Sequence, residues 1–144
     1  MSDPTILHAS CVAVRERGVL ILGASGRGKS ALALELLALG GALVADDRTC
    51  LARRGADLLA WSPPAILGRI EARGIGILAA DPAPPTRMAL VVDLDRAEEA
   101  RLPTARHWSH MGWSGPLILG ADHPHLAVSV LQYLKGGRTD LEDA

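Results

Sequence analysis

A chain of 144 residues and 15.1 kDa has the length of one domain, so residues 1–144 are read as a single unit. With 49% hydrophobic and 22% charged residues, it is not a disordered chain. A formal net charge of −1 without a basic stripe argues against nucleic-acid binding, and no apolar run reaches the ~18–20 residues that cross a membrane.

The opening residues, Met1-Ser2-Asp3-Pro4, carry neither a basic nor an apolar leader region, so no signal peptide and a cytoplasmic location are expected. Residues 5–14 read as a strand, Arg15-Glu16-Arg17-Gly18 as a turn and residues 19–22 as a second strand, forming a hairpin. A glycine-rich loop follows at 23–30. Residues 30–39, rich in Ala and Leu, then form a helix that Gly40-Gly41 ends. Residues 42–45 make a short apolar strand running into Asp46-Asp47. A second hairpin is expected over residues 49–51 and 57–60, around Arg53-Arg54-Gly55. Pro63-Pro64 opens a segment leading to Glu71-Ala72-Arg73-Gly74-Ile75-Gly76, and the three prolines in 79–87 mark a surface loop. Residues 88–94 read as a buried strand, 96–101 as a short helix, 107–116 as irregular and 126–134 as a helix. With no Phe in the chain, the core must be built from Leu, Ile, Val and Ala; Cys11 and Cys50, in apolar surroundings, are expected to be buried, reduced thiols. The pattern is mixed α/β, with the strand before the loop paired antiparallel to its predecessor, unlike a simple βαβ repeat.

The loop Gly23-Ala24-Ser25-Gly26-Arg27-Gly28-Lys29-Ser30 matches G-x-x-x-x-G-K-[ST] between an apolar strand and a helix, the context in which this pattern binds nucleotide phosphates. Its glycines allow successive N–H groups to turn toward phosphate oxygens, and the helix adds its positive end. Lys29 would reach the terminal phosphates and the Ser30 hydroxyl would ligate Mg²⁺. Lys29 is one of only two lysines in a chain that otherwise uses Arg; a slender ammonium fits between loop and phosphates where a planar guanidinium does not.

Phosphoryl chemistry also needs an acidic group, and three places offer one: Asp46-Asp47, Asp93 and Glu71. Adjacent residues of an extended segment point to opposite faces, so one of Asp46 and Asp47 can face the nucleotide and the other the fold. Spacing alone weighs Asp47 and Asp93 equally. The chain contains no Asn and hence no N-K-x-D element, which argues against a GTPase.

Several segments, taken in order, resemble the C-terminal catalytic domain of the HPr kinase/phosphorylase family. They are His8 in Leu7-His8-Ala9-Ser10, the glycine-rich loop, Leu43-Val44-Ala45-Asp46-Asp47-Arg48, and Ile70-Glu71-Ala72-Arg73-Gly74-Ile75-Gly76-Ile77. The resemblance covers residues 5–102 well and implies a short form without the family's N-terminal domain. It implies an α/β P-loop domain with a mixed sheet and a core like that of phosphoenolpyruvate carboxykinase. The implied activity is transfer of a phosphoryl group from ATP, with Mg²⁺, to a seryl hydroxyl of the phosphocarrier protein HPr, within regulation of the phosphotransferase system. Phosphorolysis of phosphoserine-HPr is the implied reverse reaction.

By the same resemblance Asp47 takes the serine proton, Lys29 stabilises the transferring group, Ser30 and Glu71 hold Mg²⁺, and His8 lies beside Asp47 and tunes it. A site arginine follows the Asp93 strand; Arg101, before Leu102, matches best, with Arg96 as runner-up. Arg73, Gly74 and Gly76 fall in the signature segment, which serves both directions. A homo-oligomer, hexameric in the family, is also implied. Two departures stand out. Ala31 follows the loop serine where the family often has an acidic residue. Residues 117–125, where a basic Pro-Arg segment linked to dephosphorylation should fall, read Leu-Ile-Leu-Gly-Ala-Asp-His-Pro-His.

Other constellations carry less. His107, His110, His123 and His125 have no cysteine nearby and no i, i+4 partner, so they read as loop histidines rather than a metal site. Trp108 and Trp113 read as core filling or a small partner patch. Two rival functions are a non-catalytic ATP sensor and a small-molecule kinase. Retention of every candidate catalytic group favours an enzyme over a sensor.

Overall fold

The computed structural model describes residues 2–141. The first expected strand is broken at His8 into β1 (Thr5–Leu7) and β2 (Ala9–Val14), and β3 (Arg17–Leu22) returns antiparallel to β2, as the sequence suggested. The connecting turn is tighter than expected: Arg15 and Glu16 alone make it, both with positive φ (51° and 65°). Two such residues match the right-handed strand twist of a two-residue hairpin, which draws Arg17 and Gly18 into the strand.

Helix α1 (Lys29–Ala38) follows the loop and is succeeded by β4 (Ala42–Ala45), β5 (Thr49–Arg54) and β6 (Asp57–Trp61). The second hairpin extends through Arg53 and Arg54, with only Gly55 and Ala56 at its turn. After a single 3₁₀ turn (Pro64–Ile66) come β7 (Arg69–Ala72) and β8 (Gly76–Ala79), a separate two-stranded hairpin, and then β9 (Thr86–Asp93).

Beyond β9 two expectations fail. Residues 96–101 are not helical. Ala97 forms a bridge with Gly120, and Glu98 is drawn away to Arg106, so the segment is fastened outward to other parts of the chain. Residues 107–116 are regular: β10 (His107–His110) and β11 (Trp113–Leu119) form a hairpin over the positive-φ pair Met111-Gly112. Helix α2 (Leu126–Gly136) closes the described chain.

The main sheet runs β1-β5-β6-β9-β3-β2-β4. β9 is its hub. It pairs parallel to β3 along its length, antiparallel to β6 at its start and parallel to β11 at its end. Side-chain alternation divides the core into two layers. Val12, Ile21 and Val92 face α1 and α2, meeting Leu36 and Val130, while Cys11, Leu20 and Val91 face the opposite side with Leu51, Leu58 and Met88. Trp108 and Trp113 pack on that second layer. Both cysteines are free and buried, and burial pushes the Cys11 thiol well above its ordinary range.

Candidate functional site

The sheet brings the start of β2 and the ends of β3 and β4 to one place. The glycine-rich loop springs from the end of β3 and feeds α1, whose N-cap is Gly28 at φ 100° and ψ 21°. That left-handed geometry suits glycine, and it starts the helix with no side-chain cap and no acidic residue in the first turn. The unsatisfied N–H groups and positive end of α1 are therefore open toward the loop. A cavity of about 570 Å³ lies there, walled by the loop and α1 on one side and by Asp47, Glu71 and the β7–β8 turn on the other.

Lys29 is buried at 6% exposure, and its Nζ donates to the carbonyls of Gly23 at 2.8 Å and Ala24 at 3.4 Å. These contacts fold the ammonium back across the loop it belongs to. The Arg73 guanidinium reaches over the loop from the β7–β8 turn, with Nη2 4.0 Å from where a Cβ on Gly26 would stand.

The two aspartates face opposite ways, but not by strand alternation: both lie past the end of β4, and the chain turns left-handed at Asp47. Asp46 turns inward and is 8% exposed. Its Oδ1 accepts the hydroxyls of Ser30 at 2.7 Å and Ser10 at 2.9 Å, and its Oδ2 accepts the Glu71 N–H at 3.0 Å. One carboxylate thus ties the start of α1, β2 and β7 together. Asp47 turns outward into the cavity, at φ 67°. Its N–H donates to Ser10 Oγ at 3.0 Å, and its Oδ1 lies 3.2 Å from His8 Nδ1. The other ring nitrogen of His8 is 3.4 Å from Ser25 Oγ in the loop.

Of the residues singled out from sequence, the cavity wall contains Ser25, Gly26, Gly28, Lys29, Ser30, Asp47, Glu71 and Arg73. His8 is joined to it through Asp47. Gly23, Ala24 and Arg27 lie in the loop behind the wall, Gly74 precedes Ile75 in the β7–β8 turn, and Gly76 opens β8. Arg101 and Arg96 are exposed in the irregular segment after β9 and do not line the cavity. Asp93, equal to Asp47 by spacing, is not on the wall either; its Oδ1 accepts the N–H of Asp95.

Sequence reading passed over Asp46 as a junction, Ser10 as the hydroxyl beneath both aspartates, and Asp95, which contacts the loop. No local signal marks Ser10, a hydroxyl within the buried strand β2, and none marks Asp95. Among the described residues no group of three or more His, Cys, Asp or Glu is gathered as a preformed metal cluster. Ser30, Asp46 and Glu71 do offer hard oxygen donors beside the loop, the donor type that suits Mg²⁺ shared with nucleotide phosphates.

Comparison with known proteins gives a consistent result. Residues 1–101 match the family model for the HPr serine kinase C-terminal domain. HPr kinase/phosphorylase of Chromobacterium violaceum is 49% identical over 75 residues, which is 51% of this chain and 24% of that protein. The Geobacillus thermodenitrificans protein of the same name is 39% identical over 103 residues, 66% of this chain and 33% of its own length. The matched stretch thus spans a quarter to a third of these relatives. The solved structure of the Hpr(Ser) kinase/phosphatase from Coxiella burnetii superposes with a TM-score of 0.78 at 26% identity, covering 91% of this chain and 94% of that one.

Proposed function

Because the chain belongs to the HPr serine kinase C-terminal domain family, we propose that it is an ATP-dependent phosphotransferase acting on a seryl hydroxyl of the phosphocarrier protein HPr. The observation that carries this reading is the meeting of the glycine-rich loop, Asp47 with its His8 partner, and Glu71 around one cavity. We read the loop as a P-loop on a core like that of phosphoenolpyruvate carboxykinase; the antiparallel β2–β3 hairpin ahead of the loop supports this.

Phosphoryl transfer asks little covalent chemistry of a protein; it asks for alignment, charge neutralisation and a base on the acceptor. The loop amides and the open end of α1 cradle the phosphates, and Lys29 leaves the Gly23 and Ala24 carbonyls for the transferring group. Asp47 accepts the proton as the serine oxygen bonds to the γ-phosphorus and the bond to the ADP oxygen breaks. His8 holds the Asp47 carboxylate toward the cavity. Ser30, Asp46 and Glu71 would hold Mg²⁺, which when bound neutralises phosphate charge. Arg73, above the loop, adds a cation to the cavity wall. The arginine-free stretch 117–125, part of which is β11, favours the kinase direction over phosphorolysis.

The test is incubation with HPr, Mg²⁺ and labelled ATP. Serine phosphorylation is expected, with Asp47→Asn lowering kcat by about 10²–10⁴. No labelled HPr, or full activity in Asp47→Asn, overturns the reading; ATP binding without transfer would instead indicate a sensor. A homo-oligomer in the cytoplasm belongs to the same proposal, and sedimentation showing only monomer contradicts the assembly.

A further inference from the structure

Asp95 lies two residues past the end of β9 and takes no part in the chemistry above. Its carboxylate is nevertheless turned onto the glycine-rich loop. Its Oδ1 and Oδ2 accept the Ala24 N–H at 3.0 and 3.1 Å, and Oδ1 also accepts Arg27 Nε at 3.3 Å. Ala24 and Arg27 are the two ends of one turn, closed by the Arg27 N–H on the Ala24 carbonyl at 3.1 Å. A single carboxylate therefore grips both ends of the first turn of the loop.

The sheet fixes the carboxylate in turn. The Asp95 N–H donates to Asp93 Oδ1 at 2.9 Å, and the Leu94 N–H donates to the Leu22 carbonyl at 2.8 Å. Leu22 is the last residue of β3, so this clamp hangs from the same sheet end that launches the loop. The Ala24 N–H, and after it Arg27, hold the Asp95 carboxyl below the ordinary aspartate range, so the clamp is ionised at neutral pH.

We infer that Asp95 is a positioning residue for the phosphate loop: it holds the turn 24–27 in shape before nucleotide arrives. The inference rests on reading this loop as the nucleotide site. An ordered loop forfeits less freedom on binding, and the saving appears as affinity. A carboxylate beside polyphosphate has a second, opposite effect, since like charges repel. The two effects predict opposite signs when Asp95 is removed, which makes the inference decidable.

The experiment compares equilibrium ATP binding of the whole chain with its Asp95→Ala and Asp95→Asn variants. It also follows amide hydrogen exchange at residues 24–27 without nucleotide. Asp95→Ala is expected to raise the ATP Kd about tenfold, the size of one charge-assisted hydrogen bond. Asp95→Asn keeps an acceptor for the Ala24 N–H and is expected to recover to within about threefold of the parent. Exchange at 24–27 should quicken in Asp95→Ala while the core amides stay protected. Unchanged or tighter ATP binding in Asp95→Ala, no recovery in Asp95→Asn, or unchanged exchange overturns the inference. Lys29→Ala separates this from the underlying reading: if it binds ATP like the parent, the loop is not the nucleotide site. The exchange measurement then still decides whether Asp95 orders the turn.

Discussion

Ser10 shows how one small side chain sets two larger ones. Its hydroxyl is fully buried, donates its proton to Asp46 and accepts the N–H of Asp47. Asp47 stands at φ 67°, a conformation that costs a non-glycine residue about 1–2 kcal/mol, and the bond to Ser10 helps to hold it there. Ser10→Ala leaves Asp46 with Ser30 and the Glu71 N–H, but strips the Asp47 backbone of its partner. A stability loss of about 1–3 kcal/mol is expected in urea unfolding. Steady-state kinetics should show kcat falling while the KM for ATP stays within about twofold, because the loop is untouched. A rise in KM with constant kcat would place the Ser10 effect on nucleotide binding instead.

At the scale of elements, α1 links loop and core. Leu36 is fully buried in the core layer that α1 and α2 share with the sheet, so Leu36→Ala should cost about 2–5 kcal/mol. The urea midpoint reads this directly, and a shift below about 1 kcal/mol would show that the helix is weakly docked. The loop and α1 were legible from sequence because their signals are local: glycine spacing, Lys29, then an Ala- and Leu-rich run. That Asp46 and Asp47 face opposite ways was expected from strand alternation, but the cause is different: both follow β4, and the left-handed turn at Asp47 sends its side chain outward. The segment after β9 was misread as helix on composition alone, Arg96 to Arg101 being mostly helix formers. What decides it is Arg106, eight residues away, whose guanidinium takes both oxygens of Glu98. The β10–β11 hairpin, read as irregular from sequence, carries Pro116 inside β11, a residue that weakens any strand signal. Met111-Gly112 between alternating residues was the signal for it. Ser10 and Asp95 were not legible, because a hydroxyl or carboxylate acquires such a role only when distant strands meet.

The molecule as a whole has a predictable acid limit. The Ala24 N–H depresses the Asp95 carboxyl, and side-chain hydrogen bonds from Arg106 and Arg138 depress Glu98 and Asp140. Each is a stronger acid folded than unfolded, so its contribution is complete above the ordinary values of 3.8 and 4.5 and is lost as pH falls through the folded value. Melting temperature should therefore be insensitive to these groups from pH 7 to about 5 and fall below about pH 4, less steeply in high salt. A loss centred near pH 6 would assign the limit to histidines instead. The position of β9 in the middle of the sheet also fixes an order of events. β3 precedes the loop directly, yet its parallel partner comes some 70 residues later in the chain, and Asp95 later still. Pairings across such separations form slowly, because much of the chain must be closed into a loop first. During synthesis, residues 5–47 leave the ribosome with the loop motif, His8 and Asp47 already in place in the chain, but without the strand that supports them. The loop gains its full support only after β9 has been made and placed between β3 and β6, so under the proposed function a nucleotide would stabilise the finished fold more than its early steps.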